Sequence, residues 1–335
     1  MTFHIVTVLS LGSRLSVDRG FLVCKNQGGD EKRLALADVR ALVIGVPSVA
    51  FTNSCLSRLL AQDSPVLHCD EQYKPIGWTI SLDRVIRREV FSNQIAQDKA
   101  FTNTLWQGIV RQKMLNQSAV LDYLEITHDL NRLINKPLAN EANVSKQYWG
   151  QYFEALGQKQ KRERKNAETF ENKALNYGYA VISTLVHRAI LIYGLLPSLG
   201  IHHEYRYRSY PLVYDLMEPF RPFVDLFLAK WMTQVCAQPL DADDVRAFTE
   251  WVHYLMEALR QCRIKLPEKK YSYKLMDAID QHVRSVASCF ENKEQDPQPS
   301  KKLWLPELAH CYWYLDIDNT QEYTNEVNNN DCISI

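Results

Sequence analysis

The 335-residue chain has no surplus of charge, no paired cysteines and no long hydrophobic run. Its longest uncharged stretch, ALVIGVPSVAFTNSCLS, is interrupted by Gly45 and Pro47. It carries too many polar groups for the ~20 apolar residues that a bilayer-spanning helix needs. The opening MTFHIVTVLSLGSR lacks the basic segment that precedes the apolar core of a signal peptide, and reads as a strand. The expectation is a cytoplasmic protein with no membrane partner. Eight cysteines stand at 24, 55, 69, 236, 262, 289, 311 and 332, with no C-x-x-C pair and no histidine pair at zinc-ligand spacing. This argues against a structural zinc and for reduced, packed thiols. Lysine plus arginine number 39 against 39 aspartates and glutamates, so bulk charge points to no polyanionic partner. No internal repeat is found.

What is present is an apolar fraction of 46%, enough to bury a sizeable core, over a length that favours two domains. Residues 1–84 read as short β-branched strands: HIVTVLS, RLSVDRGFLVCKN with a turn at Asp18, Arg19 and Gly20, RLALADVRALVIGV, and PVLHCD. One helix, TNSCLSRLLAQD, interrupts them, with Thr52 or Asn53 as its cap. From about residue 85 the apolar period changes to 3.6. Helical patterns cover FTNTLWQGIVRQKMLNQSAVLDYLEI and then 140–156, 170–193, 212–235, 242–262 and 274–290. The fold class expected is α+β: a small β-rich N-terminal domain, 1–84, and a larger all-α helical-bundle domain, 85–290. Residues 291–335 read as a linker and an acidic, polar tail. Two basic runs, KQKRERK (159–165) and RQCRIKLPEKKYSYK (260–274), are offset by that tail. Each run by itself is most simply a solvated helix face.

The segment LGIHHEYRYRSYPLVYDLMEPFRP (199–222) concentrates the chemistry. Asp215 and Glu218 are three apart, so a helix sets both carboxylates on one face. Pro219 and Pro222 require that helix to begin or bend there. Two carboxylates about 5 Å apart repel by roughly 3 kcal/mol at an effective dielectric near 20, unless a proton, a base or a cation stands between them. Asp and Glu with one histidine suit magnesium or manganese. The ladder Tyr205, Arg206, Tyr207, Arg208 is what a phosphate-tracking, base-stacking surface uses, and equally an ordinary half-exposed strand. Taken singly, each of these residues also has a plain structural reading, as cap, core histidine or strand, and spacing does not decide.

Ordered motifs do more. ALNYGYAVI (174–182), PSLGIHH (197–203) and DLMEPFRPFVD (215–225) together resemble the CRISPR-associated integrase/endonuclease of spacer acquisition. EANVSKQYW (141–149), LWQGIVRQKMLNQSAVL (105–121) and VLHCDEQYKPIGW (66–78) match it further upstream. The resemblance covers residues 3 to 290.

The resemblance implies a metal-dependent enzyme whose ligands and catalytic residues are Glu141, His203 and Glu218, with Mg2+ or Mn2+ as cofactor. Ala142 stands where the family usually has glycine, and Glu218 where many relatives have aspartate. Asp215 is implied as a carboxylate behind the ligands or an alternative ligand. Arg206, Arg208, Arg221 and Lys113 are the weaker DNA-binding candidates. The reaction implied is transesterification, in which the 3′-hydroxyl of a DNA fragment attacks a phosphodiester at the edge of a CRISPR repeat. Water in its place gives nicking. The implied partners are double-stranded DNA, a second copy of the chain, and a small ferredoxin-fold adaptation protein completing a heterohexamer. The alternatives are a non-catalytic DNA-end scaffold and an integrase of a mobile element outside CRISPR. Every candidate ligand precedes the tail, so removing residues 296–335 is expected to leave the chemistry intact.

Overall fold

The computed structural model describes residues 4–71, 73–81, 87–136, 140–158, 162–163, 169–204, 210–235, 240–241, 243–265, 272–291 and 303–312. The first eight strands are β1 (His4–Val8), β2 (Arg14–Asp18), β3 (Phe21–Lys25), β4 (Glu31–Ala35), β5 (Val39–Ile44), β6 (Ala50–Phe51), β7 (Val66–Cys69) and β8 (Pro75–Thr79). Helix α1 (Asn53–Ala61) lies between β6 and β7, and the Thr52 hydroxyl caps it by accepting from the Cys55 amide. The turn at Asp18 to Gly20 closes the β2–β3 hairpin, with Arg19 and Gly20 both at positive φ (47° and 85°). The strands form two four-stranded sheets, ordered β4-β3-β2-β6 and β1-β5-β7-β8.

In the second sheet β1, β5 and β7 are parallel, and the register Val6 to Leu42 to Val66 runs across all three. Parallel strands are covered on both faces, and β5 is buried at all six positions. Its period-2 alternation serves two cores. Leu42, Ile44 and Val66 pack with β1, β2 and α1, whereas Ala41, Val43, Leu67 and Cys69 pack into the helical body. The uninterrupted apolar run ALVI follows from this double burial. Polar links add to the joint: the buried Arg40 guanidinium pairs with Asp277 at 2.9 Å and with Asp280, and Trp78 Nε1 donates to Thr184 at 2.8 Å.

The helical body comprises α2 (Arg88–Ile95), α3 (Lys99–Tyr123), α4 (Leu130–Ile134), α5 (Glu141–Ala155), α6 (Phe170–Ile192), α7 (Pro211–Met217), α8 (Arg221–Val235), α9 (Val245–Gln261) and α10 (Leu275–Glu291). Helices α7 and α8 are separated by one 3-10 turn, Glu218–Phe220, so Pro219 and Pro222 break the helix where their ring geometry requires it. Gly178 of α6 lies so close to α8 that a Cβ there would meet Val224 Cγ1 at 2.3 Å. Glycine in NYGYAV is therefore a packing requirement.

The body is not wholly helical. Strands β9 (Arg263–Lys265), β10 (Ser272–Lys274) and β11 (Cys311–Tyr312) form a small antiparallel sheet ordered β10-β9-β11. Part of the basic run 260–274 is thus sheet rather than helix face. Residues 303–312 fall within the stretch read as linker and tail, yet they return to the body. Leu308 is buried, Trp304 O lies 2.8 Å from His282 Nδ1, and Leu303 and Leu305 pack over Gly108 of α3. Asn116 of α3 donates to Pro219 O (2.8 Å) and Pro306 O (2.9 Å), and accepts from Gln112 (2.9 Å) and from the Leu308 amide (3.0 Å). All four of its hydrogen-bonding positions are used.

Two predictions arise from this docking. A chain ending at residue 302 strips partners from buried Asn116 and His282, and is expected to lose about 3 kcal/mol against a chain ending at 312, at roughly 1–3 kcal/mol per orphaned group. Urea midpoints measure the difference; equal midpoints would show the segment to be dispensable. Separately, burial pushes the His282 imidazole down from 6.5 to about 4. The unfolded chain takes this proton first, so stability falls as pH drops from 6.5 through about 4, by about 3 kcal/mol from this residue alone. A His282→Gln variant is expected to flatten the stability profile in that window.

Candidate functional site

Four chain segments meet at the site, and each has a local reason for its shape. Helix α5 starts at Glu141 because Asn140 caps it, its side-chain oxygen accepting from the amides of Ala142 (2.9 Å) and Asn143 (3.4 Å). Ala142 is an ordinary first-turn residue there, so the missing family glycine costs nothing. The same helix start places the Glu141 carboxylate at the positive end of the helix dipole. Glu218 opens the 3-10 turn between α7 and α8 and is buried at 5% exposure.

The loop 199–203 winds round the carboxylate of Asp215, which is wholly buried. Asp215 accepts from the amides of Ile201 (2.6 Å), His202 (3.0 Å) and His203 (3.2 Å), and meets His203 Nδ1 at 2.6 Å. A Cβ on Gly200 would meet His203 O at 2.2 Å and Asp215 Oδ2 at 3.0 Å, so only glycine lets the loop wrap this closely. Helix α2 grips the loop from the other side. Gln94 donates to Leu196 O and Leu199 O (both 3.0 Å) and accepts from the Leu196 amide (2.8 Å), while Gln97 donates to Gly200 O (3.1 Å). Trp106 of α3 stacks on His202 (4.2 Å, 3°) and meets the His203 ring edge-on at 5.8 Å. His203 is thereby fixed at its backbone, its Nδ1 and one ring face.

Lys113 of α3 stands at the centre. Its side chain is almost fully buried, and Nζ lies 2.6 Å from Glu141 Oε1 and 2.6 Å from Glu218 Oε2. The two carboxylates are therefore within about 5 Å of each other, where roughly 3 kcal/mol of repulsion would act at an effective dielectric of 20 without a cation between them. Arg221 Nε adds positive charge 3.4 Å from Glu218 Oε1 while its guanidinium lies over the Tyr179 ring at 5.1 Å. Hydrogen bonding to Asp215 raises the His203 pKa, burial opposes this, and the negative charges of Asp215 and Glu218 add to it. Beneath these groups Asp225 of α8 accepts from Tyr148 OH at 2.7 Å and from Tyr179 OH, and burial pushes its carboxyl up to about 6.

The structure thus brings Glu141 and Glu218 together. It seats His203 on a buried carboxylate that holds Nδ1 and leaves Nε2 as the ring nitrogen not so engaged. Among the described residues no three His, Cys, Asp or Glu side chains are gathered tightly enough to enclose a metal ion as they stand. The acids face the Lys113 ammonium and the imidazole faces Asp215. The donor set still fits a hard divalent ion: two carboxylates that converge on one cation, and an imidazole oriented by a carboxylate behind it.

The remaining candidates divide. Asp215 spends its oxygens on the loop amides and on His203 Nδ1. Lys113 is corrected from a DNA contact to a buried ion-pair partner. Arg221 is turned inward, towards Glu218 and Tyr179. Arg206 and Arg208 lie outside the described residues, as does most of 159–165. The bridging role of Lys113 had a signal in the sequence. Leu105, Ile109 and Lys113 follow each other at four-residue steps on the buried face of α3, and a lysine on an apolar stripe is buried only when paired.

Comparisons with known proteins identify the family. The family model "CRISPR associated protein Cas1" matches residues 6–244. A CRISPR-associated endonuclease Cas1 of Neisseria meningitidis serogroup C is 31% identical over 306 residues, 89% of this chain and 94% of that protein. Among solved structures, a casposase bound to integration product superposes with a TM-score of 0.75 at 18% identity, covering 97% of this chain and 99% of that one. A chain of a Cas6-RT-Cas1–Cas2 complex does so with a TM-score of 0.71 at 17% identity, over 91% of this chain and 36% of that one. With a family match over most of its length and a relative 31% identical across 89% of it, this chain belongs to the Cas1 family of CRISPR-associated proteins.

Proposed function

We propose that the chain is a metal-dependent DNA endonuclease and integrase of CRISPR adaptation, joining the 3′-hydroxyl ends of new spacer DNA to the CRISPR repeat. The observation that carries this reading is the meeting of Glu141 and Glu218 across one cation, beside a carboxylate-oriented His203. The relative's name as an endonuclease and the fold likeness to a casposase bound to integration product support the same chemistry.

In the joining reaction a new P–O bond forms to the incoming 3′-oxygen as the repeat's own P–O bond breaks, so the number of phosphodiesters is conserved. Hydrolysis is the same displacement with water as nucleophile. Glu141, Glu218 and His203, through Nε2, would hold Mg2+ or Mn2+. Bound there, the ion supplies Lewis-acid polarisation of the scissile phosphate and charge stabilisation of the oxygens that exchange. Asp215 fixes the ring orientation of His203, with Nδ1 committed to the carboxylate. Trp106 and Gln94 hold the loop that carries His203. Arg206 and Arg208, a few residues beyond that histidine, supply phosphate neutralisation, which makes binding fall steeply with salt.

Assembly is part of the reading: double-stranded DNA as substrate, a homodimer through the β-rich region, and a small ferredoxin-fold adaptation protein that completes a heterohexamer. The Cas1–Cas2 complex in which the fold recurs supports the last partner. Among the described residues no helix is long and apolar enough to cross a membrane.

Integration into a plasmid bearing the cognate repeat tests the reading. Joining is expected with Mn2+ or Mg2+ and lost with chelator; chelator-resistant joining would contradict it. Alanine at Glu141, His203 or Glu218 is expected to lower joining by about a thousandfold or more, on the order of 4 kcal/mol, with duplex binding nearly unchanged. Full activity in all three variants would favour a DNA-end scaffold. Asp215→Asn keeps an acceptor but removes the charge, and is expected to cost about 10–100-fold in joining rate.

A further inference from the structure

Lys113 raises a question that the proposed chemistry leaves open, because its ammonium stands where a divalent ion would have to bind. It lies 2.6 Å from one oxygen of each carboxylate, on a side chain that is 5% exposed. Such a contact is not an incidental surface pair. Lysine is almost never buried without partners, and a buried ion pair with full contacts holds its members firmly in place. A second cation on the same oxygens would meet the ammonium within contact distance, with Arg221 already 3.4 Å from Glu218. Two carboxylates cannot balance a dication and both of these side chains at once.

We infer that Lys113 is the site's built-in counter-ion: it holds Glu141 and Glu218 together in the metal-free protein, and a divalent cation must displace its ammonium to bind. The inference rests on the metal reading given above. Its consequence is an exchange equilibrium. Whatever free energy the ammonium contributes to the closed carboxylate pair is subtracted from the apparent affinity for the metal, as for any ligand whose competent state is only a fraction of the population. The site is then pre-shaped without metal and weak for metal, releasing the ion readily between binding events. Helix α3 is braced for this role. Asn116, one turn beyond Lys113, ties it to Pro219 O beside Glu218, so displacement is confined to the lysine side chain and does not require the helix to move.

The test is Mn2+ binding to the chelator-treated full-length chain, followed by the loss of the free-ion electron paramagnetic resonance signal. Wild type, Lys113→Met, Glu141→Gln and Glu218→Gln are compared. Methionine keeps the apolar stem and removes the charge. Lys113→Met is expected to bind Mn2+ at least tenfold tighter than wild type, while each Gln variant binds more weakly. In thermal melts the metal-free Lys113→Met protein is expected to melt below wild type, and to be raised more by Mn2+ than wild type is. Lys113→Gln serves in its place if the methionine variant does not fold. Unchanged or weaker binding in the lysine variants, with the Gln variants impaired, overturns the counter-ion role while leaving the metal site standing. Gln variants that bind as wild type does overturn the metal reading, and the counter-ion role with it.

Discussion

An ammonium buried between two carboxylates is the interaction on which the arrangement of this molecule depends. Glu141 and Glu218 come from distant parts of the chain, and their repulsion would drive them apart or into water without a cation between them. Lys113 supplies that cation from a third element, α3, so three segments are tied at one point. Removing one member of such a set leaves an uncompensated buried charge, which is why the tie is strong although salt bridges in general contribute little.

The rest of the body supports this point from behind. Asn116 links α3 to the turn after Glu218 and to the returning segment 303–312. Asp215 collects three backbone amides and one imidazole, which converts the flexible stretch LGIHH into a fixed loop. Gln94 of α2 and Gln97 just beyond it hold that loop. The candidate site therefore stands on helices and on a loop pinned from two sides, the rigidity that the proposed strand transfer would demand of its groups.

Much of this was legible before any coordinates. The change of apolar period near residue 85, the helix at Thr52 and the break forced by Pro219 and Pro222 all follow from local chemistry. Glycine at 200 in LGIHH and at 178 in NYGYAV proved to be a demand for close approach. What local reasoning lacked was tertiary pairing. Glu141, His203 and Glu218 occupy three separate segments, so spacing could not join them; only the ordered family motifs did. Composition misjudged 303–312, because a polar, proline-bearing stretch can still dock when buried Asn116 and His282 offer it partners. Lys113 departs from expectation for the opposite reason: a basic residue on a helix invites a DNA contact, but the stripe it shares with Leu105 and Ile109 buries it.

Glu141, His203 and Glu218 are proposed to share one divalent ion. The most direct measurement is the anomalous scattering of manganese in crystals of the chain grown with Mn2+. The account predicts one peak bounded by the carboxylates of Glu141 and Glu218 and by His203 Nε2, with the Lys113 ammonium withdrawn from both acids. A peak elsewhere, or an ammonium still seated between the carboxylates at saturating Mn2+, would contradict it.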